Sequence, residues 1–326
     1  MPVRVRTGSR IHLGFRNLSP PRSHVYGSIG VSLATPRITL KAAKDTEISC
    51  EDPLVRKFAK QAVDIVDVEG VSIDVLETFP RHIGLGSGTQ IALSTLLSVA
   101  RVWEREIDIR AAAPALGRGK RSGIGVASFE RGGFIIDRGH ASDANRERLA
   151  SGEDNSVPAV AMRHDIPTDW RFMLLIPDLP PGRSGEEETA SLRTVLTEAD
   201  ADIGARIREL VDDKLVPGLR EGDLATFGQA MTEIDRLNGQ WFVDEQDDIY
   251  RPPIGGLIER VLDSEIIVGA GQSSWGPTIY AVTAAGDAEE ARVTGRNVLD
   301  QANITGDVRI VSGNNHGAEV ITDNNN

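Results

Sequence analysis

The segment Pro80-Arg-His-Ile-Gly-Leu-Gly-Ser-Gly-Thr-Gln90 gathers glycines beside two hydroxyl residues. Glycine lets backbone N–H groups turn inward and approach a phosphate closely. Ser87 or Thr89 adds a hydroxyl donor and can cap a following helix. Such a helix points its positive end at the loop, which favours an anion. No Gly-Lys-Ser/Thr closes the segment, so it is not the usual P-loop. On glycine density alone, a structural turn stays open. A second segment, Gly117-Arg-Gly-Lys-Arg-Ser-Gly-Ile-Gly-Val126, sets Arg118, Lys120 and Arg121 among glycines, in a chain with few lysines. Arginine forks onto phosphate oxygens, and lysine acts as a point charge; a solvated basic loop is the plainer alternative. A third, Gly269-Ala-Gly-Gln-Ser-Ser-Trp-Gly276, falls between two apolar runs of the second half. Three glycine-rich stretches on two halves predict one interdomain cleft holding a polyphosphate.

The elements that position them follow from periodicity. Val3–Thr7 alternates and reads as a strand; short strands are expected at 31–34, 38–42 and 47–50. Pro53 opens an amphipathic helix with Leu54, Phe58, Ala62, Ile65 and Val66 on one face. Val71–Leu76 alternates again as a strand. A long apolar helix is expected from Gln90 to Trp103, a further helix over 110–116 and a strand over 132–137. Ser142 to about Thr168 is polar and irregular, so the domain boundary is placed there. The second half reads as strand 171–176, helices near 205–211, 223–237 and 254–263, strands 265–268 and 278–282, helix 287–301 and strand 307–311. That order suggests a split βαβ sandwich. The acidic run Glu186–Glu188 reads as a solvated helix N-terminus.

Composition limits the function. With 326 residues, two domains are the default. A net charge of −12 argues against a general nucleic-acid binder. A lone Cys50 excludes a disulfide framework and a cysteine-rich metal site. No apolar run approaches the roughly 20 residues of a membrane helix, and the N-terminus carries no signal-peptide pattern. A cytoplasmic location is the expectation, and few lysines beside many carboxylates and arginines fit a salty cytosol.

Ser9-Arg10-Ile11-His12-Leu13-Gly14, then Pro80-x-x-x-Gly-Leu-Gly-Ser-Gly88, then Gly269-Ala-Gly271, in this order, resemble the three motifs of the GHMP kinase superfamily. The longer stretches Arg121–Glu130, Gly132–His140, Arg163-His164-Asp165 and Ser273–Tyr280 resemble one non-kinase branch, the β-ribofuranosylaminobenzene 5′-phosphate synthases. The matches run from residue 9 to residue 280. The resemblance implies an α+β, two-domain GHMP kinase-like fold: an N-terminal phosphate-binding domain over 1–165 and a C-terminal ferredoxin-like domain over 166–326. It implies condensation of phosphoribosyl pyrophosphate with 4-aminobenzoate or 4-hydroxybenzoate, losing CO2 and pyrophosphate. A homodimer is implied at family level only, and no nucleic acid or membrane is expected as a partner.

One departure matters for mechanism. Several kinases of the superfamily carry Ser-Gly-Ile-Asp, whereas this chain has Ser122-Gly123-Ile124-Gly125. A glycine cannot accept a proton from an alcohol, so kinase chemistry loses its base. Arg10, Gly84, Gly86, Ser87, Gly88, Thr89, Lys120, Arg121 and Ser122 are the expected phosphate-binding residues, with Ser273 and Ser274 offering hydroxyls from the second half. Arg10 can alternatively hold the benzoate carboxylate. His12, His140 and His164 are candidate proton-transfer or orienting groups, each equally open to a packed, hydrogen-bonded role. Asp137 and Asp165 are candidate catalytic carboxylates or water-mediated ligands of Mg²⁺, the expected counter-ion of the leaving pyrophosphate. Trp275 can stack on the aromatic acid or sit in the core. An ATP-dependent small-molecule kinase and a non-catalytic phosphosugar sensor are the rival readings.

Overall fold

The computed structural model describes residues 1–19, 24–141, 156–182 and 186–322. Two sheets organise them. The first runs β12-β1-β2-β4-β3, with β5 and β6 pairing β2 and β7 pairing β5. Its main strands are β1 (Val3–Asn17), β2 (His24–Asp45), β4 (Gly70–Glu77) and β5 (Phe134–Asp137). The shorter ones are β3 (Ile48–Ser49), β6 (His140–Ala141), β7 (Val160–His164) and β12 (Glu319–Thr322). The two short strands expected at 31–34 and 38–42 are parts of one long β2. Its ladder with β1 resumes on either side of Thr35-Pro36, where the register shifts between the pair Gly8 and Arg37 and the pair Arg10 and Ser32.

The Ser9–Gly14 motif lies within β1, where register shifts fall between Gly8 and Arg10 and between His12 and Gly14. Irregularities of this kind bend a strand and re-aim its side chains. Arg10 and His12, two apart, share one face of the strand.

The second sheet has the antiparallel order β11-β8-β10-β9, built from β8 (Trp170–Pro177), β9 (Gly269–Gln272), β10 (Ile279–Ala284) and β11 (Gly306–Val311). In chain order this is 4-1-3-2, the split βαβ arrangement the element pattern predicts. The strand expected at 265–268 is displaced into the glycines themselves. Gly269 lies so close to the helix Leu224–Trp241 that a Cβ on it would stand 2.1 Å from the Gly228 carbonyl oxygen. The third glycine stretch therefore serves first as a close strand–helix contact.

A boundary at 165/166 separates the two sheets except at the end of the chain. There β12 returns to pair with β1, Val5 opposite Val320. The expected C-terminal unit thus gives its last strand to the first sheet. The core is also shared: the Phe227 ring packs 6.0 Å from Phe134 and 4.8 Å from Trp170.

Two helices carry the glycine loops. Ser87–Val102 is buried along nearly its whole length, starting inside the glycine cluster rather than at Gln90. The helix Ile124–Arg131, not expected from the sequence, starts inside the second glycine stretch. Its glycines obscure the pattern of Ile124, Val126, Ala127 and Phe129, all buried.

Candidate active site

A cleft of about 550 Å³ opens between the glycine loops and the helix Leu224–Trp241. One wall comes from β1 and the two glycine segments: Arg10, Thr89, Arg118, Lys120, Arg121 and Ser122. The other comes from the second half: Asp235, Asn238, Phe242, Tyr250, Gln272 and Trp275. The first wall is cationic, the second aromatic and polar.

The cationic wall is built on two helix N-termini. Gly86, in the left-handed region at φ 79°, caps Ser87–Val102 without a side-chain hydrogen bond. Gly123 caps Ile124–Arg131, again without one of its own; the Ser122 hydroxyl accepts the Ile124 N–H at 3.3 Å. Uncapped first-turn amides together with the helix dipole attract anions.

Arg10 is tied to the first loop twice: its backbone N–H donates to the Leu85 carbonyl at 3.1 Å, and its guanidinium donates to the Gly84 carbonyl. Burial lowers its pKa to about 10, so it keeps its charge at neutral pH. Its side chain packs on Gly86, where a Cβ would come within 3.1 Å of the guanidinium carbon. Arg118 lies over the Phe58 ring at 5.1 Å and faces Gly88. Its Nε is buried without a protein hydrogen bond among the described residues, while the residue itself lines the cleft.

Of the expected phosphate residues, Arg10, Thr89, Lys120, Arg121, Ser122 and Ser274 line this cleft, whereas Gly84, Gly86, Ser87, Gly88 and Ser273 do not. The glycine loop is covered on this side by Arg10 and Arg118, which explains the difference. Ser273 is fully buried; its hydroxyl donates to the Gly84 carbonyl at 2.8 Å and accepts the His12 N–H at 3.1 Å. It joins loop, strand and second half, leaving no hydroxyl for a substrate. Ser274 is exposed at φ 56° beside Trp275, and Trp275 meets Phe242 edge-on at 4.9 Å.

Of the five candidate catalytic residues, only His12 lines the cleft. Its Nδ1 accepts the Gly14 N–H at 3.2 Å, which leaves the proton on Nε2. Burial, then the charge of Arg10, pushes its pKa down to about 3. It is a neutral donor near neutrality, not a titrating acid. Asp137 is fully buried and accepts the backbone N–H groups of Ser28, Gly123 and Gly139 at 2.7 to 2.9 Å. It anchors a helix start to two strands. Burial raises its pKa and the three amides oppose the rise. His140 is buried on β6, its ring edge-on to Tyr26 at 6.2 Å. His164 lies on β7, where it accepts from Arg220 Nε at 3.3 Å, and Asp165 is an exposed partner of Arg163. The Arg163 guanidinium itself holds the carbonyls of Gly132 and Asn315, so that motif is a structural clasp.

Among the cleft residues that escaped sequence reasoning, two are charged. Glu188, placed by the sequence on a solvated helix end, pairs with Arg121 at 3.0 Å. Burial raises its pKa, while Arg121 and Arg10 pull it back. Asp235 is 6% exposed, accepts the Tyr280 hydroxyl at 3.0 Å and the Gln272 N–H at 3.1 Å, and is pushed up by burial to about 7. The spacing of an isolated Asp within an amphipathic helix carries no signal for this. Its place on the buried face, between Met231 and Asn238, was the available clue.

Two sheets bridged by a cleft with one cationic wall are the frame of a member of the GHMP kinase superfamily. Residues 53–133 match the model of the GHMP kinases N terminal domain, and residues 215–300 that of the GHMP kinases C terminal domain. The fold superposes on a mevalonate kinase from Methanococcus jannaschii with a TM-score of 0.65, at 14% identity, covering 95% of this chain and 98% of that one. Within the superfamily, the chain belongs to the β-ribofuranosylphenol 5′-phosphate synthase family. It is 33% identical to the synthase of Methanothermobacter thermautotrophicus over 97% of this chain and 98% of that protein. It is 34% identical to that of Archaeoglobus fulgidus over 86% and 88% respectively.

Proposed function

We propose that the chain is a pentosyltransferase that joins phosphoribosyl pyrophosphate to 4-hydroxybenzoate, releasing CO2 and pyrophosphate, as in methanopterin-type biosynthesis. The observation that carries this, beside family membership, is the pairing of a cationic wall with an aromatic one in a single cleft. A phosphorylated sugar suits the first and a benzoate the second. The relatives' names specify a phenol product, which favours 4-hydroxybenzoate over 4-aminobenzoate.

Each step maps onto residues. Arg10, Arg118, Lys120 and Arg121 take the diphosphate and 5′-phosphate oxygens, stabilising charge as the anomeric C–O bond breaks. The ring carbon bearing the carboxylate attacks the anomeric carbon from the Trp275–Phe242 side. The C–CO2 bond then breaks, and its electron pair restores aromaticity. A carboxylate held against Phe15, Phe242 and Trp275 is poorly solvated, which favours its loss as neutral CO2. His12 Nε2–H is a fixed neutral donor between the walls.

No group of three or more metal-ligating side chains exists among the described residues. Mg²⁺ characteristically binds through one or two carboxylates plus substrate phosphates. Glu188, on the cationic wall, suits that role, whereas Asp137 and Asp165 lie outside the cleft. When bound, the ion would neutralise leaving-group charge.

A kinase reading is disfavoured by the relatives and by Gly125. A Cβ there would press on the Thr89 side chain at 3.1 Å, and the glycine supplies no carboxylate where several kinases of the superfamily carry one. Turnover separates the proposal from a non-catalytic sensor. Carboxyl-labelled 4-hydroxybenzoate, phosphoribosyl pyrophosphate and Mg²⁺ should together yield labelled CO2, and ATP with alcohols should yield no ADP. ADP formation without CO2 would reverse the assignment.

A further inference from the structure

The aromatic wall holds an arrangement that phosphate binding does not use. Asp235 lies on the buried face of Leu224–Trp241 and lines the cleft. Its two oxygens each take one protein hydrogen bond, from Tyr280 and from the Gln272 N–H. A carboxylate oxygen accepts two, so each keeps a site. Tyr250, on the segment before the helix Ile254–Leu262, also lines the cleft. Its hydroxyl is buried against Asp235 and Arg236 and interacts with that carboxylate, which together with burial raises its pKa. The contact is not a well-aligned hydrogen bond, so an oxygen entering between the two can take the donor over. Gly271 is needed for the arrangement: a Cβ there would stand 2.5 Å from both the Asp235 carboxyl carbon and the Tyr280 oxygen. The pair offers an incoming ligand one acceptor and one donor. A phenol hydroxyl both donates and accepts. An aromatic amine donates readily but accepts poorly, because its lone pair is delocalised into the ring.

We propose that Asp235 is the base that takes the proton of the para hydroxyl of the aromatic acid, with Tyr250 donating to the resulting oxygen, and that this pair selects a phenol over an aniline. The inference rests on the transferase reading above. In the step, the O–H electron pair stays on oxygen and the proton passes to the carboxylate. The phenolate enriches the para ring carbon, whose electron pair forms the bond to the anomeric carbon as the anomeric C–O pair leaves with pyrophosphate. This gives a carboxylated dienone. Loss of CO2 returns the C–CO2 pair to the ring, and the phenolate oxygen recovers the proton from Asp235. The carboxyl ends as it began, so no outside acid or base is consumed. The charged and titratable groups facing Asp235 are Arg236, which lowers its pKa, and the hydroxyls of Tyr250 and Tyr280. Burial outweighs them and leaves a carboxyl that titrates near 7, a suitable base for borrowing a phenolic proton.

The test compares wild type, Asp235→Asn and Tyr250→Phe, each checked for folding by circular dichroism and for phosphoribosyl pyrophosphate binding by calorimetry. Turnover is measured with 4-hydroxybenzoate and with 3,5-difluoro-4-hydroxybenzoate, whose phenol is already ionised near neutral pH. The wild-type to Asp235→Asn rate ratio should be about 100-fold or more with the first acid and at least tenfold smaller with the fluorinated one. The wild-type acid limb of kcat/KM with 4-hydroxybenzoate, falling below about pH 7, should vanish in Asp235→Asn. Tyr250→Phe should move the same ratio in the same direction, by less. Equal losses with both acids, or an unchanged acid limb, would overturn the proposal and leave a structural role. If wild type releases no CO2 from either acid, it is the transferase reading that fails.

Discussion

Ser273→Ala separates a structural serine from a substrate-binding one. The hydroxyl is fully buried, donating to the Gly84 carbonyl at 2.8 Å and accepting the His12 N–H at 3.1 Å. Alanine leaves the His12 amide without this partner where water has no access, while the Gly84 carbonyl keeps the Arg10 guanidinium. An unsatisfied buried group costs about 1–3 kcal/mol, and the one lost partner here sets the expected destabilisation at about that size. That magnitude should be read as a lower urea midpoint at unchanged m-value. With one of its ties to the second half removed, the glycine loop should also hold Arg10 less firmly in the cleft, so stability and affinity for phosphoribosyl pyrophosphate should fall together. Ser273→Cys, able to occupy the site but a weak hydrogen-bonding partner, should fall between. An unchanged urea midpoint with lost activity would refute the reasoning and return Ser273 to the substrate.

Arg121→Ala should weaken phosphoribosyl pyrophosphate binding about 10- to 100-fold, the value of a charge-assisted hydrogen bond, with a shallower salt dependence by calorimetry. Asp235 has a folded pKa of about 7 against an ordinary 3.8. The unfolded chain releases this proton first, so the group's stabilisation is complete below about pH 4 and lost as pH rises to 7. The stability difference between wild type and Asp235→Asn should therefore shift towards the variant by on the order of 4 kcal/mol from pH 4 to pH 8, followed by urea unfolding at several pH values. His164→Ala, outside the cleft, should keep turnover within about twofold, since side chains remote from the chemistry perturb it little; a hundredfold loss would restore it to the site.

Much of the fold was legible because it rests on local signals. Pro53 marks a helix start, and the helix Pro53–Val66 begins there, with Asp52 accepting the Leu54 and Val55 amides ahead of it. The element order of the second half gives the split βαβ sheet without reference to distant contacts. Errors cluster where glycine serves packing rather than turning. Gly269 and Gly271 look like a loop but form a strand pressed onto a helix, because close approach leaves no periodic trace. The same holds for Gly123 and Gly125 at the start of Ile124–Arg131. The return of β12 to β1 is a non-local pairing that composition does not encode.

The site divides in the same way. Arg10, Lys120 and Arg121 were legible because cations beside glycines have a direct electrostatic meaning. The role of Asp137 was not legible because a motif carboxylate can hold backbone amides, here those of Ser28, Gly123 and Gly139, as readily as do chemistry. Asp235 and Glu188 were invisible because their meaning comes from neighbours more than 30 residues away in sequence, Tyr280 and Gln272 for one and Arg121 for the other.

The acidic total conceals a local inversion. A chain at −12 repels anions at long range, yet Arg10, Arg118, Lys120 and Arg121 converge on one wall of one cleft. The most direct measurement follows from that wall and the aromatic one facing it. The protein is incubated with carboxyl-labelled 4-hydroxybenzoate and Mg²⁺, with and without phosphoribosyl pyrophosphate. Labelled CO2 should appear only with the sugar diphosphate, matched one to one by pyrophosphate. No CO2, or CO2 independent of phosphoribosyl pyrophosphate, would contradict the account.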